Sequence, residues 1–133
     1  MKRTFVDSFY LLALFNPRDF AHERAVHEAQ SIQGTLITTD WVLTETADAL
    51  SGAANRAGCV ALIEDLRRSP RVEIVHASRG LFEAGWHLYQ QRPDKEWSLT
   101  DCISFATMEK WAVVDALTGD RHFEQAGFTA LLK

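Results

Sequence analysis

Short apolar runs of three to five residues alternate with longer segments of helical period along the chain, and this alternation leaves few folds open. The stretch 4–6 reads as a buried strand and 8–14 as a helix, stopped by Asn16-Pro17. Residues 19–33 form a polar amphipathic segment whose apolar stripe is Phe20, Ala25, Val26 and Ala29. Gly34 ends it, and the run TLIT at 35–38 reads as a second strand. Asp40 is placed to cap a helix reaching Leu50, Gly52 breaks it, and 55–68 is helical up to Ser69-Pro70. Strand 72–75 and helix 79–91 follow, then a loop at Arg92-Pro93-Asp94. Ser98 opens a helix to about Lys110, 113–117 is a fourth strand, 121–125 a short helix and 128–132 a last strand. Strand–helix alternation implies a mainly parallel sheet of four to five strands with helices on both faces, an α/β fold.

At 133 residues the chain is expected to be one domain, residues 1–133. A 47% hydrophobic content supplies a core without disulfides. Cys59 and Cys102 belong to no CxxC pair, so zinc-ribbon and dithiol redox chemistry are excluded and reduced thiols are expected. The apolar N-terminal stretch is interrupted by Asp7 and Ser8 and lacks a small-residue cleavage site, and no run is long enough to cross a membrane. A cytoplasmic protein is the expectation. A net charge of −4 argues against nucleic acid at first sight, unless several of the acids surround bound cations that meet the phosphate themselves.

Parallel sheets bind ligands beyond the carboxyl ends of their strands. Asp7 follows the first strand and Asp120 the fourth, after Thr118 and Gly119. Each acid has a plain alternative. Asp7 and Asp120 sit where helix caps belong, Asp101 completes a capping box with Ser98, and Glu45 has the option of facing solvent. Yet Ser or Asn would cap as well as a carboxylate, and Glu45 has Asp48 at i+3 with no basic residue at i+4. A cation site explains the preference for carboxylates; capping does not.

The segments that carry these acids are FVDSFYLLALFNPRDFAHERA, TTDWVLTETADAL, WSLTDCISFATMEK and ALTGDRHFEQAGF. In order, spacing and flanking residues the chain resembles the PIN-domain proteins, and among them the VapC-type toxins of bacterial toxin–antitoxin pairs. The resemblance spans nearly the whole length. It implies a three-layer α/β/α fold with an acidic pocket at the C-terminal edge of the sheet, Mg²⁺ or Mn²⁺ as cofactor and RNA as substrate. Asp7 and Asp101 would be direct metal ligands, with Glu45 and Asp120 completing the shell directly or through water. Thr118 and Ser8 would orient these carboxylates or bound water. A homodimer held by a cognate antitoxin is implied as well.

Hard divalent cations take oxygen ligands, and four carboxylates suit Mg²⁺ or Mn²⁺ better than zinc. Water attack then leaves a 5′-phosphate and a 3′-hydroxyl without using the ribose 2′-hydroxyl. Arg18, Arg24 and Arg121 are placed for phosphate contacts, while Arg67, Arg68 and Arg71 read as a solvated helix end. Trp97, close before Asp101, is the best stacking candidate among four tryptophans, although a core role is the commoner one. His22 and His27 are five apart and share no helix face; His122, beside Asp120, could approach substrate phosphate. A haloacid-dehalogenase-like phosphatase would want a second aspartate two residues after Asp7, where Phe9 stands. The remaining alternative is a PIN-like binding or scaffold module without turnover. Leu11, Leu12, Leu14 and Phe15 belong either to the core or to a dimer surface.

Overall fold

The computed structural model describes residues 2–133. Five strands, β1 (Arg3–Val6), β2 (Thr35–Thr39), β3 (Val72–Val75), β4 (Asp115–Leu117) and β5 (Thr129–Ala130), form one sheet in the order β3-β2-β1-β4-β5. All four pairings are parallel. The connections are α1 (Ser8–Phe15) and α2 (His22–Ser31), α3 (Asp40–Ala49) and α4 (Ala53–Arg68), α5 (Arg79–Gln91) and α6 (Leu99–Lys110), and α7 (Arg121–Gln125). Helices cover both faces, giving the expected three-layer α/β/α architecture.

The chain winds outward from β1 through β2 to β3 and then crosses back to add β4 on the other side of β1. The direction of winding therefore reverses between β1 and β4, and helices leaving these two strands diverge above their carboxyl ends. Asp7 follows β1, and Thr118 and Asp120 follow β4, at the base of that crevice.

β1 and β2 are buried on both faces, so they read as continuous apolar or Thr runs rather than alternating ones. Phe5, Val6, Leu11, Ile37, Val42, Cys102, Phe105, Met108, Leu117 and Phe123 make the centre of the core. Full burial of a side chain the size of Leu or Phe contributes roughly 1.5–3 kcal/mol each. Thr38 reinforces the β1–β2 pairing by donating its hydroxyl to the Val6 carbonyl at 2.8 Å. Leu11 is core, with Leu12, Leu14 and Phe15 only partly buried.

Several boundaries move from those expected, each for a local reason. Helix α2 begins at His22 rather than 19, because Asp19 forms a turn: its carboxylate accepts the Ala21 N–H (2.8 Å) and its carbonyl the His22 N–H (2.9 Å). The same helix stops at Ser31, with Ile32 extended and Gly34 at φ +84°. Asp40 is not the cap of α3; Thr39 is, through Oγ1 to the Val42 N–H at 3.1 Å. The Asp40 carboxylate instead accepts the Ala77 N–H at 2.8 Å and faces His76. Helix α4 starts at Ala53, two residues early, with Gly52 as its N-cap. β4 shrinks to 115–117 because α6 ends in a tight turn with Ala112 at φ 55° and Val113 N–H bonded to the Met108 carbonyl. β5 pairs over only two residues instead of five.

Helices α5 and α6 meet at Gly85, where an added Cβ would lie 2.3 Å from Ile103 Cγ1 and 2.9 Å from its Cα. Contact with backbone leaves little room to relax. Gly85→Ala is expected to lower the free energy of unfolding by roughly 1–3 kcal/mol from overpacking, despite a helix-propensity gain of about 1 kcal/mol. Urea denaturation of the two proteins measures this, and an alanine variant as stable as the parent would contradict the close approach.

Candidate active site

Asp7 is the first residue after β1 and occupies the N-cap position of α1, yet its side chain makes no capping bond. Its carboxylate turns inward, 5% exposed, and accepts the Thr118 hydroxyl at 2.8 Å. Thr118 follows β4, and its Oγ1 also accepts the Asp120 N–H at 3.0 Å. One threonine thus ties the ends of both central strands to the two acids that follow them. The capping explanation fails for Asp7.

It succeeds for two of the others without excluding a second role. Asp120 caps α7, its Oδ1 accepting the His122 N–H at 2.9 Å. Asp101 and Ser98 form the anticipated capping box at the start of α6, with bonds of 3.0 and 3.2 Å. The Asp101 Oδ2 that accepts the Ser98 N–H also lies 3.0 Å from His122 Nδ1. Glu45, in the middle of α3, is half-buried and accepts the Ser8 hydroxyl at 2.5 Å.

All four acids line one recess of about 360 Å³, together with Ser8, Phe9, Leu12, Glu96, Ser98 and His122. They arrive from β1, α3, α6 and the β4–α7 turn, segments far apart in sequence. A larger hollow at the opposite edge of the sheet is walled in part by Lys2, Glu28, Gly34 and Asp115, and its two acids are ion-paired with Arg24 and Lys2.

The electrostatics follow from crowding. Burial, with the charges of Asp101 and Glu45 adding to it, lifts Asp7 from 3.8 to about 7 against the opposing Thr118 bond. Burial also raises Glu45, with Asp101 and Asp120 adding to it and the Ser8 bond opposing. Asp101 is raised by burial and by the charge of Asp120, while its bonds to His122 and Ser98 pull the other way. Among the described residues no lysine or arginine lines the recess to offset these charges. The carboxylate oxygens are hard donors, and one atom each from Asp101, Asp120 and His122 lies within 4.8 Å of the others. The residues fit a divalent cation with mostly oxygen ligands.

The basic residues sit differently from the acids. Arg18, Arg24 and Arg121 do not line the recess. Arg18 and Arg121 are exposed, whereas the Arg24 guanidinium is taken by the Leu131 carbonyl (3.2 Å) and Glu28 (3.7 Å). Trp97 is core, 6% exposed, with its ring edge-on to Phe105 and its N–H donated to Gln125, so no face is open to a base. Two further titratable residues share the wall with the four acids: His122, expected only near substrate phosphate, and Glu96, which was not expected there. Position i+2 from Asp120, just inside a short helix, was the signal for His122; Glu96 had none.

A family model described as PIN domain matches residues 4–129. The chain is 32% identical over 124 residues to the 23S rRNA-specific endonuclease VapC20 of Mycobacterium tuberculosis, covering 93% of this chain and 94% of that protein. The crystal structure of M. tuberculosis VapC20, described as a Sarcin-Ricin loop cleaving toxin, aligns with a TM-score of 0.88 at 30% identity, covering 95% and 96% of the two chains. VapBC2 from Rickettsia felis, bound to a DNA fragment from its promoter, shares the fold at a TM-score of 0.68 and 11% identity over 96% of each chain. FitAcB from Neisseria gonorrhoeae does so at 0.65 and 18% identity, over 96% and 95%.

A carboxyl whose folded value exceeds its unfolded one binds its proton more tightly in the native state. The stability Asp7 contributes is therefore fully present below about pH 4 and is lost as pH rises from there to about 7. In chelator at pH 7.5, Asp7→Asn should melt above the parent, a gap of at most roughly 4 kcal/mol that closes toward pH 4. Thermal melts across this range test it, and an Asn variant that is less stable at every pH would show that burial and neighbouring charge do not penalise the ionised carboxylate.

Proposed function

This chain belongs to the PIN-domain family, and on that footing we propose that it is a metal-dependent endoribonuclease, one domain spanning 1–133, that cleaves RNA phosphodiester bonds by water attack as the toxin of a type II toxin–antitoxin pair. The observation that carries the reading is the convergence of Asp7, Glu45, Asp101 and Asp120 on one recess at the C-terminal edge of a parallel sheet.

Asp7 and Asp101 are the ligands that would hold Mg²⁺ or Mn²⁺ directly, with Glu45 and Asp120 completing the shell. When bound, such an ion supplies Lewis acidity toward the phosphate and lowers the pKa of water. The protein's own part is positional. Thr118 fixes the Asp7 carboxylate and Ser8 that of Glu45, so both keep one orientation before substrate arrives. The capping box anchors Asp101 to the first turn of α6. A water held between these carboxylates would attack phosphorus as the P–O3′ bond breaks, its oxygen staying on the 5′-phosphate and a proton passing to the 3′-oxygen, which leaves as a 3′-hydroxyl. Arg18 and Arg121, both exposed, are the cations offered to flanking phosphates.

Nothing in this chemistry needs the ribose 2′-hydroxyl, so the choice of RNA rests on relatives. VapC20 is named for 23S rRNA and the sarcin–ricin loop, and a structured ribosomal RNA in the cytoplasm is the corresponding substrate here. A cognate antitoxin and a homodimer are part of the same proposal, carried by the likeness to the toxin VapC20. Among the described residues no helix is long and apolar enough to cross a membrane.

Purified protein should cut a sarcin–ricin stem-loop RNA in Mn²⁺ or Mg²⁺ and not in EDTA. Asp7→Asn and Asp101→Asn are each expected to slow cleavage by at least about 100-fold. End-group analysis should find 5′-phosphate. Cyclic phosphate ends, cleavage in chelator or a fully active Asp7→Asn would each sink the proposal. Antitoxin binding with no RNA cleavage in either metal would favour a scaffold.

A further inference from the structure

His122 has no part in the ligand set above, yet it is the one histidine on the wall of the recess. Building on the nuclease reading, we propose that His122 ligates the catalytic cation through Nδ1, so that the site selects a transition-metal ion such as Mn²⁺ over Mg²⁺.

Geometry comes first. Neighbouring ligands around an octahedral ion with bonds of 2.0–2.2 Å are separated by roughly 3 Å, the bond length multiplied by the square root of two. His122 Nδ1 lies 3.0 Å from Asp101 Oδ2 and 3.5 Å from Asp120 Oδ1. The imidazole nitrogen stands at the spacing of an adjacent vertex from Asp101 Oδ2, Asp120 Oδ1 lies somewhat farther out, and one ligand atom from each of the three residues lies within 4.8 Å of the others.

The ring is also held there. Its own backbone N–H is bonded to Asp120, whose N–H is bonded to Thr118. The next residue, Phe123, is fully buried against Phe105 and Phe5, at centroid distances of 4.9 and 6.3 Å. Helix α7 is thereby pinned to the core, and its first turn presents His122 to the acids. The side chain is 20% exposed, so the ion's remaining positions stay open to water and phosphate.

The chemistry then discriminates between ions. Mg²⁺ favours oxygen ligands and gives up water reluctantly, whereas an imidazole nitrogen strengthens binding of first-row transition ions. The competing account makes His122 a positioning residue that donates a hydrogen bond to Asp101. In that account Nδ1 carries a proton and never touches the ion, and losing the ring weakens Mn²⁺ and Mg²⁺ alike.

Pulsed electron paramagnetic resonance of Mn²⁺ bound to the intact protein separates these accounts without any assay of cleavage. The wild-type spectrum should contain the ¹⁴N modulation of a directly coordinated imidazole, and His122→Gln should abolish it. Titrations should show Mn²⁺ affinity falling by about tenfold or more in His122→Gln, with Mg²⁺ affinity changed less than about twofold. Mn²⁺ bound without nitrogen coupling, or equal loss for both ions, overturns the His122 proposal and leaves the nuclease reading standing. Failure of the wild type to bind either ion overturns both. Should the Gln variant not fold, the wild-type spectrum alone decides.

Discussion

Like charges forced together in a partly buried crevice set the terms for the rest of this molecule. Asp7 is almost wholly enclosed, and burial together with Asp101 and Glu45 lifts its carboxyl far above the ordinary range. A fold tolerates that only when something else holds the parts in place. Here the parallel pairing of β1 with β4, the Thr118–Asp7 bond and the core beneath Phe5 and Phe123 supply it. The reversal of winding between β1 and β4 opens the crevice, and the core keeps it from relaxing.

The same constraint resolves the charge balance. A net charge of −4 is awkward for the proposed encounter with phosphate, and the arginines do not compensate within the recess. The surplus of acid is concentrated where a divalent cation would neutralise it. Arg24 shows why counting basic residues misleads: its guanidinium is spent on a carbonyl and on Glu28.

Strand–helix alternation gave the architecture because buried parallel strands and amphipathic helices leave different periodicities in sequence. The order of strands across the sheet was not legible, since pairing depends on contacts between residues remote along the chain. Element ends depended on single side chains choosing between partners. Asp40 could cap a helix, but Thr39 reached the Val42 N–H and freed Asp40 for the loop after β3. Asp7 could cap as well, and the Thr118 hydroxyl drew it inward instead. Position in sequence showed that both were candidates for a cap; only the three-dimensional neighbours determined which acted as one. Trp97 and His122 show the same limit, one absorbed by packing against Phe105 and the other brought to Asp101 across twenty-one positions.

The double duty of Asp101 bears on how such a chain drifts over time. Its carboxylate closes a capping box and also faces the recess, and Asp120 likewise caps a short helix. An amide at either place would still accept a backbone hydrogen, so the helix starts would survive while the carboxylates that the proposed ion needs vanished. On the proposed reading, shape and turnover are thus separable by a single-letter change. Descendants that have fallen silent can keep the same silhouette, and among relatives of this chain the outline of the backbone is poor testimony to a working blade.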